Sequence, residues 1–193
     1  MSNSKGSLAA MASGAAEILK LSGESLAAVE ATSAGLISAS LQSVPRASRF
    51  WQGGVNIYSA KAFRALLPLE LLPQLGDVKT NYSSAANYIR SKEVFTSVLA
   101  KHFRKQFQVD WIVAESGAAE GSALPRRLQD AGAFSAVTIV GPDGLEVSRV
   151  YNAPPESSRE ENMWAFAAFA LNLLEECLAK REAGKEESAR SKL

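Results

Sequence analysis

Residues 28–40 read A-V-E-A-T-S-A-G-L-I-S-A-S, and the apolar run 26–29 at their start ends in a single acid, Glu30. Small residues follow at 31–35, and apolar residues then return at helical spacing. This pattern predicts a buried strand, a tight turn and a helix. Hydroxyl groups and free backbone N–H groups at the start of such a helix would suit an anion or a developing oxyanion.

Two further apolar segments end in polar residues in the same way. A predicted strand at 50–57 is followed by Y-S-A-K (58–61), and one at 111–114 is followed by E-S-G (115–117). Ligands of α/β proteins bind at the carboxyl ends of strands, so these residues could line one crevice. Serine and threonine at strand ends also serve as helix caps, which is the structural alternative.

Helical periodicity alternates with these strands along the chain. Helices are predicted at 8–21, 35–41, 61–67, 83–107 and 159–180, and P-D-G at 142–144 predicts an antiparallel hairpin. The sequence therefore predicts an α/β layered domain with a mixed β-sheet flanked by helices. The expected organisation is a flexible N-terminus (1–7), a single domain (8–180) and a charged flexible tail (181–193).

The composition excludes several classes of function. With 21 Lys and Arg against 20 Asp and Glu, the chain lacks the basic excess of a nucleic-acid-binding protein. It has one cysteine and one histidine, so a metal site rich in these residues is not expected. The histidine, His102, lies in a basic helical segment, so a conventional Ser-His-Asp triad is not expected either. No apolar run is long enough to span a membrane.

The order of the motifs resembles the CinA C-terminal domain family, the nicotinamide-nucleotide amidases (nicotinamide mononucleotide deamidases). The family pattern is E-S-C-T-G-G after one strand, Y-S-N-x-x-K after a second, [ST]-G-I-A-G-P after a third, and G-D-R at the last helix. The corresponding stretches here are E-A-T-S-A-G-L-I (30–37), Y-S-A-K-A-F (58–63), E-S-G-A-A-E-G (115–121) and S-S-R (157–159). The resemblance implies the CinA C-terminal-like fold over about residues 8–178, in a divergent eukaryotic member.

The resemblance also implies hydrolysis of the nicotinamide amide by a serine nucleophile and a lysine base, without a metal or another cofactor. Here Ala31 stands at the serine position and Phe63 at the lysine position. Alanine carries no nucleophile, so the usual catalytic pair is absent. Whether the chain is an enzyme is therefore left open by the sequence.

A rearranged catalytic site is the alternative. It would use Thr32 or Ser33 as the nucleophile, with Lys61 and Tyr58 as the neighbouring basic groups. Lys61 precedes the family's lysine position by two residues, which rotates a side chain by about 200° around a helix.

Six positions match the family pattern and are expected to bind a nucleotide-like small molecule: Glu30, Gly35, Ser59, Ser116, Gly117 and Arg159. Two departures from the pattern change the charge of that site. Glu120 places an acid where the family has a neutral glycine, and Met163 replaces a further arginine.

Three functions are compatible with these residues. The first is a catalytically silent relative of the amidase that acts by binding or as a scaffold, and the second is an active amidohydrolase with the rearranged site. The third is a purely structural protein with an empty crevice.

The chain ends in Ser191, Lys192 and Leu193, the tripeptide that addresses proteins to peroxisomes. We therefore expect binding to the peroxisomal import receptor and a peroxisomal location, or otherwise a cytoplasmic one. The apolar last helix also favours a homo-oligomer. No nucleic acid and no membrane are expected as partners.

Overall fold

The computed structural model describes residues 7–190 of the chain. Its strands are β1 (Leu26–Glu30), β2 (Trp51–Asn56), β3 (Trp111–Ala118), β4 (Phe134–Val140) and β5 (Glu146–Asn152). They form one sheet in the order β2-β1-β3-β4-β5, in which β1 is parallel to β2 and β3, and β4 is antiparallel to β3 and β5. The predicted α/β fold with a mixed sheet is confirmed.

The helices are α1 (Leu8–Ser22), α2 (Leu36–Gln42), α3 (Ala60–Leu66), α4 (Val78–Asn81), α5 (Ala85–Phe107) and α6 (Arg159–Arg190). They cover both faces of the sheet, as the packing of β1 shows. Leu26 and Ala28 pack into the cluster formed with α1, α2 and α6, whereas Ala27 and Val29 pack against α5. A strand buried on both faces is continuously apolar, as the sequence of β1 is.

β3 is longer than predicted, because it was expected to end at Ala114. The strand continues to Ala118, and β4 pairs with it in antiparallel register along this extension, from Glu115 opposite Val137 to Ala118 opposite Phe134. The E-S-G motif therefore lies within a strand and not in the turn after it.

α6 is also longer than predicted, and its expected end at Lys180 is wrong. The helix continues to Arg190. The guanidinium group of Arg181 pairs with the carboxylates of Glu24 and Asp143 and lies 5.8 Å from the Trp111 ring centroid, which holds the first turn beyond Lys180 against the sheet. The flexibility of the tail stays a prediction, as does the division of the chain into an N-terminal segment (1–7), one domain (8–180) and a C-terminal tail (181–193).

The sequence of segment 69–82 is ambiguous, with Pro73 and Gly76 indicating a loop, and the structure has a 3-10 helix there at Leu69–Leu75 and the single turn of α4. Asp77 begins that turn by accepting a hydrogen bond from the backbone N–H of Thr80. The other predicted boundaries of helices and strands lie within one or two residues of the observed ones. Among residues 7–190, no helix is long and apolar enough to cross a membrane.

Candidate functional site

The ends of β1 and β2 lie beside the middle of β3, so the polar residues that follow the three apolar segments meet at one edge of the sheet. The backbone N–H of Ala31 donates to the carbonyl oxygen of Glu115 (3.1 Å), and that of Ile57 donates to the carbonyl oxygen of Glu30 (2.7 Å). The sheet thus forms the floor of the crevice that the sequence predicted at this edge.

The turn after β1 is held by the buried carboxylate of Glu115. Its Oε2 accepts hydrogen bonds from the backbone N–H groups of Ala31 (3.3 Å), Thr32 (2.9 Å) and Ser33 (2.9 Å) and from the Ser33 hydroxyl (2.9 Å). Its Oε1 accepts from the Ser135 hydroxyl on β4 (2.9 Å). Burial raises the pKa of the Glu115 carboxyl, and these hydrogen bonds oppose that rise.

Glu30 holds the other half of the turn and the start of α2. Its carboxylate accepts from the backbone N–H groups of Gly35 (3.0 Å), Ile37 (3.0 Å) and Ser38 (2.8 Å) and from the hydroxyls of Ser33 and Ser38. The expectation of free N–H groups at the helix start is therefore wrong. Two carboxylates of the chain itself occupy the place that a ligand anion would take.

Ala34 carries backbone strain in this turn. Its φ is 56°, in the left-handed region, where a Cβ approaches the following carbonyl oxygen. Because Ala34 is exposed, we expect Ala34→Gly to raise the free energy of unfolding by about 1 kcal/mol. Urea denaturation measures the change. Ala39→Gly, an exposed position within α2, is the control and should lower the same quantity by about 1 kcal/mol; a loss of stability in both variants would contradict the assignment of strain.

Above the turn lies a cavity of about 510 Å³. It is enclosed by the ends of β1 and β2, by β3, and by α3 and the first half of α5. Aromatic rings form much of its wall: Tyr58, Phe63, Tyr82, Tyr88 and Phe95. This volume suits a small organic molecule with a planar ring.

The two positions at which the sequence resemblance implies a catalytic pair, Ala31 and Phe63, both line this cavity. Thr32 also lines it, and its Oγ1 accepts a hydrogen bond from the backbone N–H of Gly117 (2.7 Å). Ser33 is fully buried beneath the turn and does not reach the cavity. Within residues 7–190, no lysine, tyrosine or histidine side chain hydrogen bonds to either hydroxyl.

Lys61 is not part of the cavity wall. It is exposed on α3, next to the lining residues Ala60 and Phe63. Tyr58, by contrast, lines the cavity, and its Oη accepts a hydrogen bond from Nη2 of Arg159 (3.0 Å). The structure thus brings together two of the predicted site residues, one at the end of β2 and the other at the start of α6.

Four of the six predicted ligand-binding residues line the cavity: Ser59, Ser116, Gly117 and Arg159. The other two, Glu30 and Gly35, belong to the turn below it. Gly117 must be glycine, because a Cβ there would lie 1.9 Å from the carbonyl oxygen of Phe134. Ser59 has a structural role as well, since its Oγ accepts from the backbone N–H of Ala62 at the start of α3.

Lys92 is a cavity residue that the sequence analysis missed. Its Nζ lies 5.3 Å from the ring centroid of Tyr88 and 5.5 Å from that of Phe95. A signal was present in the sequence, because Tyr88, Lys92, Phe95 and Leu99 recur at the spacing of one helix face and the other three are apolar or aromatic. Burial lowers the pKa of the Lys92 ammonium group and raises the pKa of Tyr88 to about 12.

Comparison with known proteins identifies similar sequences and folds. The model of the CinA C-terminal domain matches residues 8–178. A CinA-like protein of Prochlorococcus marinus (strain MIT 9313) is 30% identical over 142 residues, which are 72% of this chain and 30% of that protein. A CinA-like protein of Synechococcus sp. (strain CC9902) is 34% identical over 110 residues, which are 54% of this chain and 23% of that protein. The chain thus matches less than a third of the length of these curated relatives.

Two solved structures show the same fold. The competence/damage inducible protein CihA of Agrobacterium tumefaciens has a TM-score of 0.71 at 17% identity, covering 93% of this chain and 99% of that one. The competence damage-inducible protein A (ComA) of Klebsiella pneumoniae subsp. pneumoniae MGH 78578 has a TM-score of 0.69 at 18% identity, covering 89% and 97%.

Proposed function

The chain belongs to the CinA C-terminal domain family, and on that premise we propose that it binds a nucleotide-like small molecule without hydrolysing it. One observation carries the proposal: Ala31 and Phe63 both face the cavity. The positions from which the resemblance implies attack and proton transfer are therefore directed at the ligand space, but they carry a methyl group and an apolar ring. Neither can act as a nucleophile or a base.

The alternative is an active amidohydrolase that uses Thr32 or Ser33 with Lys61 and Tyr58. Thr32 and Tyr58 line the cavity, but the positions of Ser33 and Lys61 count against this alternative. A general base must lie within hydrogen-bond reach of the proton it removes, directly or through one water. Ser33 is buried away from the cavity and Lys61 lies outside its wall, so this pair lacks a shared space with a substrate.

The chemistry of the cavity supports a ligand with a planar ring and an anionic group. Of the described residues that line it, three are cationic, namely Arg64, Lys92 and Arg159, and one, Glu120, is acidic. Cationic side chains favour a phosphate or a carboxylate, and aromatic walls favour stacking on a ring. A mononucleotide carries both groups.

Isothermal titration calorimetry with nicotinamide mononucleotide tests the proposal. We expect saturable binding at one site per chain, which a purely structural protein with an empty crevice would not give. Gly117→Val fills the strand position beneath the cavity and is unsuitable as a control, because it would break the sheet. Ser116→Phe places a bulky ring on the cavity side of β3 and should abolish binding; binding that survives this change would remove the ligand from the proposed site.

We further propose that the protein acts in peroxisomes, with the import receptor reading its C-terminal tripeptide. Ser191, Lys192 and Leu193 lie outside the described residues, so the proposal rests on the sequence alone. A fluorescent protein fused to the N-terminus should become punctate and coincide with a peroxisomal marker, and deletion of Leu193 should make it diffuse. A diffuse full-length fusion would refute the proposal. Formation of a homo-oligomer stays a prediction.

A further inference from the structure

Lys92 differs from the other cations of the cavity in its surroundings. Arg64 and Arg159 are exposed at the wall, whereas Lys92 is half-buried on α5, and the rings of Tyr88 and Phe95 lie within cation–π distance of its Nζ. Among residues 7–190, no carboxylate forms an ion pair with it. The Glu115 carboxylate acts on it electrostatically from beneath the cavity, but no carboxylate side chain forms a direct contact with its ammonium group within this part of the chain.

The position of Lys92 relates it to the missing lysine of the family. The ring of Phe63, at the family's lysine position, contacts the ring of Phe95 with a centroid separation of 5.1 Å. The same Phe95 ring lies under Nζ of Lys92. The ammonium group of Lys92, on α5, thus approaches the part of the cavity wall at which the resemblance implies a lysine on α3.

We propose that Lys92 binds the anionic group of the ligand and is the residue that makes the cavity selective for an anion. This inference rests on the proposed function, since it names the group that recognises the ligand of the same cavity. A ligand phosphate or carboxylate would supply the direct ion pair that Lys92 lacks among the described residues. Burial lowers the pKa of the unliganded ammonium group, so an anion placed beside it also stabilises its charged form.

The test compares Lys92→Met, which keeps the length of the side chain and removes its charge, with Lys61→Met on the exposed face of α3. Calorimetry is carried out with nicotinamide mononucleotide, with nicotinamide riboside, which lacks the phosphate, and with inorganic phosphate. We expect Lys92→Met to weaken the binding of the mononucleotide and of phosphate by at least about tenfold and to leave the riboside unchanged. Lys61→Met should change none of the three, and Lys92→Arg should retain the preference for the mononucleotide over the riboside.

The outcomes separate this inference from the proposed function. Equal weakening of the mononucleotide and the riboside, or no effect of Lys92→Met, would overturn the role of Lys92 while the wild-type protein still binds the nucleotide. Binding of phosphate that depends on Lys92, without binding of the mononucleotide, would support the role of Lys92 and overturn the nucleotide as the ligand. Failure of the wild-type protein to bind any of the three would overturn both.

Discussion

The double variant Ala31→Ser/Phe63→Lys should release ammonia from nicotinamide mononucleotide, at a rate at least about a hundredfold above that of the wild-type protein. Both positions line the cavity, so the change would direct a hydroxyl and an amine into the space where the ligand is proposed to bind. Catalytic groups that act as a unit are not additive, and we therefore expect each single variant to remain silent. Release of ammonia by the purified variants is the measurement.

The matched control is Ala31→Ser/Phe63→Met, which replaces the ring by a flexible chain but supplies no amine. Loss of the Phe63–Phe95 ring contact is common to both double variants, so a difference between them reports the amine and not the packing. Ala31→Ser/Phe63→Lys could bind the mononucleotide and still release no ammonia. That result would show that the missing hydroxyl and amine do not explain the lack of activity. The added charge of Glu120 would then be the next residue to change.

Glu115→Ala should lower the free energy of unfolding by about 3–5 kcal/mol, because it removes the acceptor shared by a buried turn. Two backbone N–H groups, those of Thr32 and Ser33, would lose their partner inside the protein, and the N–H of Ala31 would keep only the backbone carbonyl oxygen of residue 115. Glu115→Gln keeps one carbonyl oxygen that can face these donors and an amide that can donate to the Ser135 hydroxyl, so its loss should be smaller. Urea denaturation gives the values.

Glu120→Ala is the control for this prediction. Its side chain is exposed and its hydrogen bond is to the Ser122 hydroxyl, so a change of less than about 0.5 kcal/mol is expected. Equal stability of Glu115→Ala and Glu120→Ala would contradict the role of Glu115 in holding the turn.

The effect of pH on Glu115 follows from its burial. Because the pKa of the carboxyl is higher in the folded protein than in the unfolded chain, the folded state binds the proton more tightly. The stabilisation that comes from protonation of Glu115 is complete below the pKa of the unfolded chain, about 4.5. It is lost as the pH rises through the pKa of this carboxyl in the folded protein. The stability of Glu115→Gln relative to wild type should therefore improve as the pH rises from 4.5.

The parts of the fold that the sequence predicts are those set by local patterns. β1 is continuously apolar because both faces of it are covered, and α1 ends at Ser22, just before Gly23, whose φ of 71° suits glycine. The hairpin of β4 and β5 follows from P-D-G between a mostly apolar strand and a strand of mixed apolar and polar residues. The meeting of the ends of β1 and β2 with residues 115–117 of β3 follows from the same rules, because these three strands are parallel and run toward one edge.

The parts that the sequence does not predict depend on partners far along the chain. The donors of the turn at Ala31–Ser33 bind a carboxylate 82 to 84 residues away, and no local signal indicates that Glu115 lies within a strand beneath them. Lys61 was favoured as the base because it is close in sequence to the family's lysine position. Lys92 enters the cavity from another helix, and its only local signal is a charged residue on an otherwise apolar stripe of α5.

The claim that the protein binds its ligand without amidase activity is tested most directly by an assay of ammonia release from nicotinamide mononucleotide. The assay uses purified wild-type protein and a nucleotide concentration that calorimetry shows to be saturating. We expect full occupancy and no ammonia above that of a protein-free sample. Ammonia release that scales with protein concentration and disappears in Lys61→Ala would contradict this function and establish the rearranged hydrolase in its place.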